Sequence, residues 1–460
     1  MSTPKSSRFT FHVSRTAFYV LLFLLPLLAA FPLWGPGMVN TRGGGDSPFL
    51  LQRTLDMAEA LRHGHIPPRW MAHAAYDLGY PFFNHYAALP FYLSGGLTAL
   101  GLSPILAIQA TQTLGFLLAA LTMALWARRI YGNRWAMLLA VAAYTFAPFH
   151  LVNVYVRGDS LSEFWAFVWY PLILWTLTRV AERPTLRRIT LAALSYAALI
   201  LTHNVSALIF APFALLYAAS QRIGESANQR EGEKASQRVS ESRITFHVSR
   251  ITFHASRFTH HALRITHYAL RIMAPFLLAF LLTAWFWMPA IGETGYGQMG
   301  PEFTAGYFHY SNHFRGLNLV QPTFFFNYDI ASAVGEAGPF AMGLVQAVMA
   351  ALGALYCVLR AAYRKNAHYA VRSTQYAFIF FSLALSTLMI TPLSALLWEH
   401  LPLLATTQFP WRFLSVQALF TAIATGALAS ESANQRVSEK AEKRISKSAN
   451  LKSKIPKSKI

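Results

Sequence analysis

The sequence predicts an all-α membrane protein, a polytopic helical bundle of about ten spans. Three observations predict it. Hydrophobic residues make up 54% of the chain and charged residues only 13%, with a mean hydropathy of +0.34. A soluble chain of this length carries about twice that charge. The apolar residues come in blocks nearly free of charge: Phe18–Leu33, Ile105–Ala127, Ala136–Phe149, Phe164–Leu177, Ile272–Pro289, Phe340–Leu359 and Tyr376–Leu397. The Lys and Arg residues behind the net charge of +20 gather in short loops and tails between those blocks. That pattern reads as cytoplasmic loops facing anionic lipid, with membrane lipids as partners and no nucleic acid.

A span needs about 20 apolar residues, so the shorter blocks depend on flanking residues, tilt or neighbouring helices. The first block comes after basic residues, as in a signal peptide. It lacks a small-residue cleavage site, so it reads as a retained span. With Arg8 and Arg15 inside, the loop from Pro36 to His85 lies outside. Tyr86–Leu102 is apolar but carries Pro90, Gly95 and Gly96. Counting it as a crossing would place Arg128, Arg129 and Arg134 outside, so it reads as interfacial or re-entrant. Ile105–Ala127 then runs inward, Trp135–Val152 outward and Phe164–Thr178 inward to Arg179, Arg183, Arg187 and Arg188. Ile189–Thr202 and Val205–Ala219 form a hairpin with His203-Asn204 at its tip. Ile272–Pro289 leads to an aromatic outer loop, Ala290–Pro339. Phe340–Leu359, Tyr376–Leu397 and Phe413–Ala429 complete the bundle, with both termini inside. The organisation is a cytoplasmic N-terminus (1–15), a transmembrane module (16–220) whose outer loop is 36–85, a basic loop (221–271), a second module (272–430) and a basic tail (431–460).

The basic loop is a repeat. ITFHVSR, ITFHASR, FTHHALR and ITHYALR run from Ile244 to Arg271, a near copy stands at Phe9–Arg15, and ESANQR occurs at Glu225–Arg230 and Glu431–Arg436. Identical short strings at unrelated places point to repetitive DNA read in frame. Two readings stand for His247, His254, His260, His261 and His267: a metal-binding face with a period of seven, or a disordered basic loop. The single cysteine, Cys357, lies in an apolar block, which excludes an internal disulfide and a thiolate metal site.

This topology puts Asp46, Asp56, Glu59, Asp77, Asp159, Glu163, Glu293, Glu302, Asp329, Glu336 and Glu399 on the outer face. Any carboxylate chemistry therefore belongs there. The most informative stretch is Gly43-Gly44-Gly45-Asp46-Ser47-Pro48 with the segment Phe49–His63 behind it. The glycines let the chain turn. Ser47 is an N-cap candidate and Pro48 suits the first helical position. Leu50, Leu51, Leu55, Ala58 and Leu61 recur at helical spacing, the pattern of an amphipathic helix at the interface. Asp46 sits before its N-terminus, where the dipole favours an anion; it is either a turn carboxylate or a functional one.

The string DSPFLLQRTLDMAEALRHGHIPPRW, with DLGYPFFNHYAALPFYL after it, resembles the first outer loop of a bacterial family labelled "6-pyruvoyl-tetrahydropterin synthase-related, membrane protein". Val156-Arg157-Gly158 with Glu163, Leu201-Thr202-His203-Asn204 and Gln408-Phe409-Pro410-Trp411-Arg412-Phe413 resemble it too. The resemblance covers Ala29–Leu419 apart from the repeat. Pterin chemistry has no support in these residues. The family is similar instead in architecture to the GT-C class of polyprenyl-phosphate-dependent glycosyltransferases, which carry an acidic residue in the first outer loop, where Asp46 stands. Relatives often place His shortly after that Asp; here Phe49 and Leu50 occupy that place. They also usually continue past the QFPWRF string, so the resemblance implies a shortened chain.

The resemblance implies sugar transfer at the outer face of a bacterial plasma membrane from a polyprenyl-phosphate donor. Such transfer needs a general base for the acceptor hydroxyl and positive charge for the departing phosphate. Asp46 is cast as base. Glu163 or Asp159 is a second carboxylate that orients the acceptor or holds a divalent cation, the one cofactor this chemistry admits. Arg157 and Arg412 face phosphate, and His203 and Gln408 complete the substrate-binding set. Each has a plain structural alternative: a helix-end carboxylate, a turn residue, an ion pair or a snorkelling cation. Trp34, Trp70, Tyr80, Tyr92, Trp285, Trp287, Trp398 and Trp411 fit an interfacial aromatic belt. Two other functions compete: a transporter or flippase of an amphipathic lipid, and a truncated inactive relative.

Overall fold

The computed structural model describes residues 15–39, 47–158, 160–221, 270–296, 304–329, 338–363 and 370–430. Asp46, Asp159, Glu302, Glu336 and the His-rich repeat up to Ala269 lie outside them.

The described chain is an α-helical membrane bundle. Its helices are α1 (Arg15–Ala30), α2 (Ser47–Arg62), α3 (Leu89–Ala99), α4 (Pro104–Tyr131), α5 (Arg134–Thr145), α6 (Pro148–Tyr155), α7 (Leu161–Glu182), α8 (Leu186–Thr202), α9 (Asn204–Gln221), α10 (Leu270–Leu282), α11 (Ala284–Gly292), α12 (Leu344–Tyr363), α13 (Ala370–Leu388), α14 (Ala395–His400) and α15 (Leu414–Ala427). Shorter helical turns join some of them. The described β-structure is one parallel pairing of two-residue strands, Val320–Gln321 with Met342–Gly343, and a bridge between Met71 and Tyr80.

Local chemistry explains the boundaries. Ser103 caps α4 by accepting the Leu106 N–H at 3.3 Å, and Pro104 takes the first helical position. Gly132 ends α4 at φ +63°, the left-handed conformation that glycine adopts without a Cβ clash. Asn133 then caps α5 through the Trp135 N–H at 2.9 Å. Pro148 separates α5 from α6, because it has no N–H to continue the ladder.

Among the described residues, five stretches are long and apolar enough to cross a membrane: Thr16–Trp34, Pro104–Tyr131, Arg134–Tyr155, Leu161–Glu182 and Asn204–Gln221. Two bent pairs, α10 with α11 at 65° and Thr374–Leu388 with Pro392–His400 at 96°, raise the count to seven. The other three apolar stretches expected as spans are also helical, as α8, α12 and α15. α15 has only 14 residues. That is about 21 Å of helix, against a hydrocarbon core of about 30 Å. It is buried along its whole length between α5, α12 and α13. Protein rather than lipid surrounds it, so its ends need not reach the interfaces. Most of its polar side chains are matched inside the bundle: Gln417 donates to Thr421 Oγ1 at 3.0 Å and accepts from Gln346 at 3.1 Å, and Ser415 pairs with the Tyr170 hydroxyl at 3.1 Å, while Thr425 Oγ1 is buried without a partner among the described residues. By contrast α1 shows Phe23, Leu24 and Leu28 on its outer side, a surface that suits lipid and not water.

The eleven-residue α3 is about 16 Å long, too short to cross, in line with the reading of Tyr86–Leu102 as no full span. Other expectations change. α2 packs on α3 through Thr54, Met57 and Ala58, with Leu50 buried and Leu55 exposed, so its buried stripe runs through Thr54 and Met57 rather than Leu55. The reason is local: Gly95 of α3 lets Met57 approach, and Thr54 and Ser94 share a buried 3.0 Å hydrogen bond. Ser47 begins α2, but its hydroxyl donates to the Val39 carbonyl at 2.8 Å and so ties the start of the helix to the end of the first span. Trp398 and Trp411 are not belt residues. Both are buried; Trp398 donates to the Met389 carbonyl at 3.2 Å, and Trp411 stacks on Phe340 at 4.3 Å.

Close helix packing gives a test. A Cβ on Gly353 of α12 would strike the Ala424 carbonyl of α15, whereas a Cβ on Gly96 of α3 would meet nothing within 4 Å. Gly353→Ala should lower stability by about 1–3 kcal/mol, read as a depressed thermal midpoint in detergent. Gly96→Ala should be neutral or raise stability by about 0.5–1 kcal/mol.

Candidate functional site

The chain concentrates buried charge at one end of the bundle. Glu163 is the third residue of α7 and is buried. Its Oε2 accepts from Arg157 Nη1 at 2.5 Å. Arg157 stands just past the end of α6, and the same Nη1 donates to Asn153 Oδ1 at 2.8 Å. Gly158 turns the chain at φ +69° and packs directly against Ser47 at the head of α2. This loop therefore meets the first loop at Ser47, while Asp46 and Asp159 themselves lie outside the described residues.

Two further segments reach Glu163 from far along the chain. Arg412, on the turn before α15, and His203, between α8 and α9, both act on the Glu163 carboxylate electrostatically. Arg412 Nη1 donates to the Thr407 carbonyl at 3.2 Å, and its guanidinium carbon lies 5.1 Å from the Phe409 ring centre. Arg157 lies 5.0 Å above the Trp411 ring. His203 is buried, and its Nδ1 accepts from the Ser206 N–H at 3.3 Å, with the Ser206 hydroxyl at 2.7 Å. Gln408 is buried at φ +64° in the same turn as Arg412. Thus four of the expected site residues, Glu163, Arg157, Arg412 and His203, converge.

Among the described residues, one carboxylate, that of Glu163, faces two guanidiniums. Among the described residues, Arg412 Nε and Glu163 Oε1 are buried without a hydrogen-bond partner. An uncompensated buried cation costs several kcal/mol, so the cluster is suited to an anion.

Beside it lies an apolar cavity of about 470 Å³, lined by Pro67, Phe83, Tyr86, Tyr92, Leu201 and Trp285 among others. It forms where the first loop is clasped to α11. Arg69 donates to Asn84 Oδ1 at 2.7 Å and to the Trp285 carbonyl at 3.4 Å, and Asn84 donates to Glu293 Oε2 at 2.8 Å. Tyr86 links cavity and cluster: it lines the first, and its ring centre stands 6.4 Å from that of His203. The cavity was not legible in the sequence, because its walls come from residues more than two hundred positions apart.

The other end of the bundle is basic. Glu182, at the far end of α7, pairs with Arg129, Arg179 and Arg188. From Glu163 to Glu182 the helix rises about 28 Å, close to the thickness of a hydrocarbon core.

A second polar group sits on the ledge formed by α2. Asp56 is buried, and its Oδ1 accepts the His73 N–H at 3.2 Å. Burial raises its pKa, the largest influence, while that hydrogen bond lowers it. His73 lies between Asp77, 3.0 Å from Nδ1, and Glu59, 2.8 Å from Nε2, and both carboxylates raise its pKa. The spacings Asp56–Glu59 and His73–Asp77 are i,i+3 and i,i+4, a sequence signal that the motif reading passed over.

No family model matches the chain, so the pterin-related family label finds no support there. Over 204 residues the chain is 24% identical to an uncharacterized protein of Lactococcus lactis subsp. cremoris (strain MG1363), covering 44% of this chain and 33% of that one. An archaeal oligosaccharyltransferase, AglB from Archaeoglobus fulgidus, solved with an inhibitory peptide and a dolichol-phosphate, aligns over 88% of this chain and 50% of its own at 16% identity, with a TM-score of 0.46. The apo form of the Archaeoglobus fulgidus oligosaccharyltransferase aligns over 89% and 50% at 14% identity, with a TM-score of 0.44. The chain thus spans a third of the curated relative and half of each solved chain. At these values the likenesses assign no residue and no activity.

The buried pair is testable by itself. Glu163→Gln removes the carboxylate that lies between Arg157 and Arg412 and should destabilise by about 3–5 kcal/mol. Adding Arg157→Gln removes one of the two stranded cations and should recover part of that loss. A thermal double-mutant cycle in detergent checks the sign, and an additive cycle would contradict the pairing.

Proposed function

We propose that the chain is a membrane glycosyltransferase that takes a sugar from a polyprenyl-phosphate donor at the outer face of a bacterial plasma membrane. One observation carries the proposal: a surplus buried cation, Arg157 and Arg412 around Glu163, adjoins an apolar cavity through Tyr86. A lipid phosphate has the matching two-part chemistry. Its isoprenoid portion fits the cavity wall of Pro67, Tyr92 and Trp285, and its phosphate fits the guanidiniums. Arginine suits this task because its planar donors meet oxyanions in pairs.

In the proposed reaction an acceptor hydroxyl attacks the anomeric carbon. The new carbon–oxygen bond forms as the bond to the lipid phosphate breaks, and the phosphate leaves with the electron pair. Arg157 and Arg412 stabilise the charge that develops on it. A base removes the hydroxyl proton. Asp46 is proposed for that role and Asp159 as its partner, since their neighbours Ser47 and Gly158 are in contact. Glu163 is proposed as a positioning residue, because its Oε2 already holds Arg157. His203 and Gln408 are proposed to line the phosphate side. A divalent cation held by the carboxylates would add positive charge at the leaving group.

The test is sugar transfer in nanodiscs from a radiolabelled polyprenyl-phosphate sugar. Asp46→Asn should abolish transfer without affecting insertion. Arg412→Gln should reduce it by about 100-fold or more, the scale of one lost oxyanion contact. Full activity in both variants would remove the proposal. Orientation has its own check: a cysteine at Gly44 should react with an impermeant maleimide added outside intact cells, and reaction only from the cytoplasm would reverse the assignment of faces.

A further inference from the structure

The second polar group, on the α2 ledge, is not used by the proposed transfer. Asp56 and Glu59 stand one turn apart on α2, and His73 and Asp77 come from the turn closed by the Met71–Tyr80 bridge. The donor atoms of Asp56, Glu59 and His73 all lie within 4.8 Å of one another. Two features set them apart from an ordinary surface ion pair. Asp56 is only 4% exposed, and its Oδ2 has no hydrogen-bond partner among the described residues. A buried carboxylate oxygen left without a partner is costly, and a bound cation removes that cost. The imidazole is also held on its other nitrogen: His73 Nδ1 is 3.0 Å from Asp77 Oδ1. That carboxylate–imidazole contact orients a metal-binding histidine and directs the Nε2 lone pair outward.

We propose that Asp56, Glu59 and His73 form a zinc-class divalent metal site that pins α2 to the Met71–Tyr80 turn, with Asp77 positioning the imidazole. The geometry is close to what a metal needs. His73 Nε2 and Glu59 Oε2 are 2.8 Å apart. Two ligands at about 2.1 Å from one ion stand about 3.0–3.4 Å apart, depending on the coordination angle. A shift of a few tenths of an ångström in two half-exposed side chains accommodates the ion, and Asp56 supplies the third donor from the buried side. The imidazole nitrogen selects the metal. Calcium and magnesium prefer all-oxygen sites, whereas a nitrogen-and-carboxylate set favours zinc and its transition-metal neighbours. Three protein ligands leave a position for water, so the site is open to solvent on its His73 side. Its structural consequence is a rigid first loop. α2 carries the wall on which α3 packs, and the chain from Ile66 to Tyr92 lines the apolar cavity.

The experiment is amide hydrogen exchange on the full-length protein in nanodiscs, stripped with EDTA and then given zinc chloride. Peptides across 47–80 should exchange about tenfold more slowly with zinc. His73→Gln and Glu59→Gln should lose that protection; both positions are about half exposed, so neither substitution disturbs the core. Asp77→Asn should raise the zinc concentration required by about 10- to 100-fold. The local readout separates this site from zinc taken up by histidines elsewhere in the chain. No protection in the unmodified protein would overturn the proposal. So would equal protection in His73→Gln and Glu59→Gln, or the same effect from magnesium chloride at equal concentration. No donor sugar enters the measurement, so the result is independent of the transferase proposal.

Discussion

Neutralising the Glu163 carboxylate inside the bundle is the constraint on which the site end of the molecule depends. A lone charge in a medium of low polarity is costly, and removing one member of a buried pair costs about 3–5 kcal/mol. Arg157 lies six residues upstream, so the loop between α6 and α7 must fold back on itself. Arg412 and His203 come from the other side of the bundle. The turn before α15 and the joint between α8 and α9 are therefore drawn to the same point. Gly158 completes the loop at a conformation that favours glycine, and the Cβ of any other residue would collide with Ser47.

The same arrangement divides the molecule by charge. Glu163 and its cations mark one end of α7, and Glu182 with three arginines marks the other. Between them the helices bury aromatic and aliphatic side chains or show them to lipid. In hydrocarbon every polar group needs a partner within the protein. α15 meets most of that demand through Gln346, Gln417, Thr421 and Ser415, with Thr425 Oγ1 left over. The Glu163 end departs furthest from the rule: among the described residues one carboxylate faces two guanidiniums, and Arg412 Nε, Glu163 Oε1 and Asn153 Nδ2 are unpartnered. Departures of this kind are where binding energy for a charged ligand is held.

Much of the architecture was legible in the residues. The apolar blocks near 16–34, 104–131, 134–155, 161–182 and 204–221 are helices of spanning length, because a continuous apolar run has one low-energy conformation in lipid. The basic turns at Arg128, Arg129 and Arg179 do sit together at one end. Glu163, Arg157, Arg412 and His203 were visible as candidates through the motif stretches that carry the family resemblance. The helical face of α2 was not. Leu50, Leu51, Leu55, Ala58 and Leu61 make a plausible stripe, but the buried stripe turns toward Thr54 and Met57 to meet α3. Residue type alone does not say which of two overlapping faces finds a partner. Nor does it separate Trp398 and Trp411, which are core, from the exposed Trp34 and Trp285.

The sequence by itself determined that this chain is a multi-span helical membrane protein with its charged residues gathered at the ends of apolar helices. Composition and loop charge report the free energy of transfer into lipid, which is local and nearly additive along the chain. Only the tertiary structure decided which charged groups meet, which carboxylate is buried, and where the cavity opens. Those outcomes depend on distances between segments hundreds of residues apart. Asp56 shows the difference most clearly. In the sequence it is one of eleven outer carboxylates; in the fold it is buried on α2 with one oxygen unpartnered, beside an imidazole from the next turn.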